Sequence, residues 1–140
     1  MSQTTLRAFE HTIEITHLWL IDILDRLAWT DQNRAYRALR AVLHALRDRL
    51  TVNDAAHLAA QLPMLIRGVY YEGYHPHDKP LRERSKQEFL EHVGNEFVDT
   101  EFDIERVTRA VLHVLAKHIT SGEVDKIKQA LPEGIRALWT

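Results

Sequence analysis

Arg37, Arg40, His44 and Arg47 recur at steps of three and four, which sets their side chains down one edge of an α-helix. Arg106, Arg109 and His113 repeat the pattern further on, before Ala116 breaks it with Lys117 alongside. Such strips suit the binding of anions. A guanidinium meets a carboxylate or phosphate through two parallel N–H donors, and arginine outnumbers lysine here 13 to 5. One expectation is therefore a pair of cationic surfaces for an acidic ligand or partner. The competing expectation is that both strips border the core and pair with acids of the preceding helix, such as Glu10, Glu14, Asp22 or Asp25.

A second cluster lies in "RGVYYEGYHPHDKPLRER", residues 67–84. Tyr70, Tyr71 and Tyr74 stand with Arg67, Glu72, His75, His77 and Asp78. Tyrosine offers a large amphipathic contact area at low entropic cost, so a protein contact surface is one reading. The other is that Tyr70 and Tyr71 close a short helix as core anchors and the remainder is solvated. His75, His77 and Asp78 together form the ligand set of an open zinc or iron site, although the spacing is common in loops and no further ligands stand nearby. No metal or other cofactor is expected.

Other chemistries find little support. There is no glycine-rich phosphate loop, no Gly-x-Ser-x-Gly elbow and no His-Glu-x-x-His. The stretch "ALRDRLTVNDAAHLAAQLPMLIRG" has the cadence of a helix-turn-helix. Its candidate second helix carries Asp54, His57 and alanines, however, and the chain has a formal net charge of −2, so nucleic acid is not an expected partner.

The elements that must position these groups come in two sets. "RAVLH" occupies residues 40–44 and returns at 109–113, and the register persists. Thr51 aligns with Thr120, Leu62-Pro63 with Leu131-Pro132, Ile66-Arg67 with Ile135-Arg136, and Tyr70 with Trp139. This predicts an internal duplication. Within the first unit, Tyr36, Leu39, Leu43, Leu46 and Leu50 trace one helical face. Thr51 and Thr120 then read as caps of a shorter helix, and Pro63 and Pro132 as first-turn residues of another. A helix over about 4–28 precedes the first core repeat and one over about 81–97 the second. In the former, Leu6, Phe9, Ile13, Leu20, Leu24 and Leu27 make an apolar stripe, and the second half, with Leu18, Trp19, Ile21 and Ile23, is apolar around most of its circumference, which predicts central burial or a covering partner. The expected fold is all-α, with about four helices per repeat and a pseudo-twofold relation. Unit one spans about 4–72, a linker about 73–80 and unit two about 81–139, all within a single domain 1–140.

Size and composition agree. The chain's 140 residues suffice for one core, and 45% hydrophobic with 27% charged residues is ordinary for a soluble protein. There is no cysteine, which removes disulfides and thiolate sites. The N-terminal "MSQTTLRAFEHTIEIT" lacks the pattern of a signal peptide, and "LWLIDILDRLAW" is too short and too charged to span a bilayer. The expected location is the cytoplasm, with no membrane partner.

Residues 33–74, "NRAYRALRAVLHALRDRLTVNDAAHLAAQLPMLIRGVYYEGY", closely resemble the most recognisable stretch of the bacterial domain of unknown function 2267 family. "HALRDRL", "QLPMLIRG" and "YYEGY" carry most of the resemblance; "FLEHV" and "RAVLHVLAKHITSGEVDKIKQALPEGIRALW" extend it over nearly the whole chain. Tyr74 stands where tryptophan is expected, which keeps an aromatic ring there. The resemblance implies a small, soluble, helical protein and a loose association with stress-response genes. It implies no activity that transfers to particular residues.

The leading expectation is a non-enzymatic interaction module with an unidentified protein partner, which also forms a homodimer through its apolar first helix. Its contact surfaces would be the 67–74 segment and the two cationic strips. The alternative is a small-molecule- or metal-binding protein, or an enzyme, with its site between the two units.

Overall fold

A computed structural model describes residues 6–99 and 101–139, which form eight α-helices and no strand. These are α1 (Arg7–Leu27), α2 (Gln32–Arg49), α3 (Val52–Gln61), α4 (Met64–Tyr71), α5 (Lys86–Glu96), α6 (Ile104–His118), α7 (Ser121–Ala130) and α8 (Glu133–Arg136). One-turn 3₁₀ helices follow at Pro76–Asp78 and Ala137–Trp139. The expected start of the first helix near residue 4 lies outside the described residues.

Polar caps set the helix starts. Asp31 accepts from the backbone N–H groups of Asn33 and Arg34, Thr51 from Asp54, Asp103 from Glu105 and Thr120 from Glu123. Each satisfies donors that the first helical turn leaves open. Local structure recurs at the spacing of the repeated pentapeptide. α3 and α7 lie 69 residues apart at both bounds, as do the last residues of α1 and α5 and of α2 and α6. The Arg67 guanidinium donates to the carbonyls of Ala59 and Leu62, and Arg136 donates to those of Lys128 and Leu131, at the same spacing.

Three details depart from the sequence reading. Residues 81–85 are not helical. Leu81 N–H instead donates to the Asp48 carbonyl at 2.8 Å, and Ser85 with Glu88 forms a reciprocal capping box that starts α5 at Lys86. Pro63 and Pro132 are the N-caps of α4 and α8 rather than first-turn residues, each with an extended ψ. The central helix is α2 and not α1. Ala35, Ala38, Ala41 and Ala45 let neighbouring helices approach α2 closely, while Leu18 and Ile21 of α1 stay exposed.

One continuous core draws on both halves of the chain. α1 packs on α6 and α5 packs on α2, with α2 against α6 between them. At the α1–α6 contact the Trp19 ring stacks on His118 with centroids 4.7 Å apart. There Asp22 accepts from His118 Nε2 at 2.7 Å and from Lys117 Nζ at 3.1 Å.

Two backbone positions test this packing in opposite directions. Ala28 ends α1 in the left-handed region at φ 56°, so Ala28→Gly is expected to stabilise by about 0.5–1 kcal/mol. A Cβ on Gly134 would stand 3.1 Å from the Lys86 backbone nitrogen, so Gly134→Ala is expected to destabilise by about 1–2 kcal/mol. Urea denaturation of the two variants checks both signs.

Candidate functional site

The first cationic strip is neutralised inside the molecule, but by acids other than those of the preceding helix. Arg37 donates to Asn33 Oδ1 and lies 3.8 Å from Asp99. Arg40 reaches Glu72 at 2.7 Å and Glu96 at 2.8 Å. His44 is buried, with Nδ1 2.8 Å from Glu96 Oε1 and Nε2 donating to the Val69 carbonyl at 2.7 Å. The Glu72 carboxyl is held below the ordinary carboxylate range by the hydrogen bonds and charge of Arg40. Arg47 is also buried; it donates to the carbonyls of Tyr70 and Glu72 and to Asp48.

The tyrosine segment divides between core and surface. Tyr70 is fully buried and donates to the Ala55 carbonyl, so its ring is a core anchor; burial pushes its phenol pKa up. Tyr71 packs half-buried on the core, and Tyr74 covers the Arg47 guanidinium, 5.4 Å from the ring centroid. The guanidinium of Arg67 is occupied in closing the end of α3. His75, His77 and Asp78 are exposed, and Asp78 pairs with Lys79 at 2.6 Å. No three His, Asp or Glu side chains converge to hold a metal among the described residues.

A cluster not anticipated from the sequence joins the segment after α4 to α2 and α5. His92 Nδ1 lies 2.8 Å from Glu83 and Nε2 lies 3.5 Å from Asp48. Hydrogen bonding to Asp48 and then Glu83 pushes the His92 pKa up to about 9 against the pull of burial. Burial works to raise the Asp48 pKa, but the hydrogen bonds from His92 and Arg47 outweigh it and hold the carboxyl low. Within the cluster His92 and Asp48 stabilise each other's ionised forms.

Two of the open grooves are lined by helix α1 and a neighbouring helix. The second strip lines one of about 400 Å³ between α1 and α6, where Arg106, Arg109 and His113 meet Arg26. Arg109 pairs with Glu105 at 2.8 Å and donates to the Ala137 carbonyl. Burial, with the charges of Arg26, Arg109 and Lys128, depresses the His113 pKa. His44 and His113 therefore occupy unlike environments despite their shared pentapeptide. The other groove, about 430 Å³, runs between α1 and α4 and is lined by Phe9, Thr12, Ile13, Met64, Leu65 and Gly68. Phe9, Ile13, Met64 and Leu65 are 42–54% exposed, unusual for such large apolar side chains. Among the described residues no helix is long and apolar enough to cross a membrane.

The His92 cluster makes a signed prediction. Its folded pKa, about 9, lies above the 6.5 of a free histidine, so its stabilisation is complete below pH 6.5 and is lost as pH rises through about 9. Denaturation curves across that window should lose up to about 3 kcal/mol in the wild type relative to His92→Gln.

Comparison with known proteins places this geometry in a family without supplying a reaction. A search of curated proteins finds no match. The profile of the family described as "Uncharacterized conserved protein (DUF2267)" matches residues 16–138, from the middle of α1 to the last turn of the chain. With nearly all of its length covered, the chain belongs to the DUF2267 family.

Proposed function

We propose that the protein is a non-enzymatic protein–protein interaction module, and that the partner seated on its α1–α4 groove is a second copy of the same chain. The observation that carries this reading is the run of large apolar side chains left open along that groove. Phe9 and Ile13 on α1 and Met64 and Leu65 on α4 form walls with no Cβ at Gly68 between them. Burial of such side chains contributes on the order of 1.5–3 kcal/mol each, which is enough to drive association. Leu65 and Gly68 also border the adjoining surface of Tyr36, Val69, Tyr71 and Glu72, so the apolar walls continue into the tyrosine segment.

Charge favours self-pairing. Arg7, Glu10, His11 and Glu14 line the exposed side of the same stretch of α1, with both signs mixed. An antiparallel pairing of two α1 helices about the midpoint of this stretch sets Arg7 opposite the partner's Glu14 and Glu10 opposite the partner's His11. That is an isologous contact, in which one patch matches itself. This reading goes with a cytoplasmic protein, where a chain without cysteine needs no oxidising compartment, and with the family's loose link to stress-response genes.

Sedimentation velocity over a concentration series tests it. The wild type is expected to shift toward twice the 16.3 kDa subunit mass by about 100 µM, and Ile13→Glu to remain a monomer with unchanged helicity. A wild type that stays monomeric throughout the series overturns the reading.

A further inference from the structure

We infer that Gly68 is a recess on α4 into which the Phe9 ring of a second copy packs, an inference that rests on the self-association proposed above. Gly68 lies inside α4, where glycine is a poorer helix former than alanine because it loses more backbone freedom on folding. Nothing within the chain asks for glycine there. Its φ is not left-handed, and an added Cβ would meet no atom within 4 Å. Gly134 differs, since a Cβ there would press on the Lys86 backbone. The position 69 residues beyond Gly68 holds Ala137, which is also exposed. What glycine provides at 68 is open space toward solvent, where the α1–α4 groove meets the adjoining surface of Tyr36 and Tyr71.

The walls of that space differ from their counterparts in the same sense. Positions facing the core keep their character at a spacing of 69 residues: Ile66 and Ile135, and Tyr70 and Trp139, are all buried. The outward positions do not. Phe9, Ile13, Met64 and Leu65 correspond to Asp78, Arg82, Glu133 and Gly134, none with a hydrophobic side chain. Core packing does not account for the apolar set. A patch that pairs with itself about a twofold axis needs a protrusion and a matching recess, because residue i of one copy meets j of the other and j meets i. Phe9 is the bulkiest hydrophobic side chain left exposed among the described residues, and Gly68 is the gap. The antiparallel α1 pairing that sets Arg7 opposite the partner's Glu14 also sets Phe9 opposite the partner's Thr12. Thr12 is tied to α4 by the hydrogen bond its Oγ1 accepts from Leu65 N–H at 2.9 Å, and Gly68 lies about one helical turn beyond Leu65 in the same groove. The incoming ring therefore meets bare backbone at Gly68 rather than a methyl group.

Sedimentation equilibrium of the full chain tests it. Gly68→Ala is expected to weaken self-association at least about tenfold while the melting temperature of the dilute monomer rises, since the new methyl suits the helix and obstructs only the partner. A role confined to the fold would not move the two readouts in opposite directions. Phe9→Ala and Gly68→Leu should each associate at least about tenfold more weakly than the wild type. An equimolar mixture of these two variants should then associate at least about tenfold more tightly than either alone. The mixed pair keeps one intact contact of Phe9 with Gly68, and in the other the added leucine fills the space that the lost ring leaves. If the wild type dimerises and Ile13→Glu does not, but Gly68→Leu dimerises like the wild type, this inference alone is overturned. A mixture no tighter than its components has the same meaning. A wild type that stays monomeric overturns it together with the self-association reading.

Discussion

Arg47 carries a full charge into the interior, and the fold is arranged to meet it. Its guanidinium ties the end of α4 to α2 through the carbonyls of Tyr70 and Glu72, which the chain's departure from the helix leaves pointing inward. Its Nε–H meets the neighbouring Asp48, which also stands against His92 of α5. A buried cation left without partners costs several kcal/mol, so these acceptors must be in place together. The backbone of Asp48 contributes again by accepting from Leu81, which anchors the incoming segment of the second half. One residue pair at the end of α2 thus couples the helix in the centre, the tyrosine segment and the entry into α5.

The crossing of the halves then decides what each repeated residue meets. α5 lies on α2, so His44 and Arg40 receive the carboxylate that ends α5. α1 lies on α6, so Leu27 and Arg26 line the groove beside His113, and Arg109 pairs instead with Glu105 of its own helix. The same pentapeptide forms an internal bridge to Glu96 in one place and the wall of an open groove lined by arginines and acids in the other. The difference resides in the helix ends brought against it, and the pentapeptide itself carries no mark of it.

How much was legible follows the range of the interactions. Thr51 and Thr120 act on donors a few residues away, so the starts of α3 and α7 could be read directly. The stripe from Leu39 to Leu50 depends only on helical period, and those leucines are buried. The partners of the cationic strip were out of reach, because Glu72, Glu96 and Asp99 lie 32 to 62 residues from the side chains of the strip that they meet. His92, Asp48 and Glu83 come from three separate segments and have no spacing to betray them. Residues 81–85 were read as helix because their composition allows it, and a tertiary contact with Asp48 overrode that preference. Phe9 and Ile13 belonged visibly to an apolar stripe, but nothing local told that this part of the stripe would remain uncovered.

The stacking of Trp19 on His118 has a consequence for biosynthesis. The two residues belong to helices near opposite ends of the chain, and the neighbouring contact of Asp22 with His118 spans 96 residues. A ribosome adding about 5–20 residues per second leaves α1 without that surface for roughly 5–20 s after it is made. Throughout this interval Trp19 and Ile23, both buried in the finished protein, have no α6 to rest on. The nascent first half is therefore a sticky intermediate, and the arrival of α6 is the event that ends its exposure.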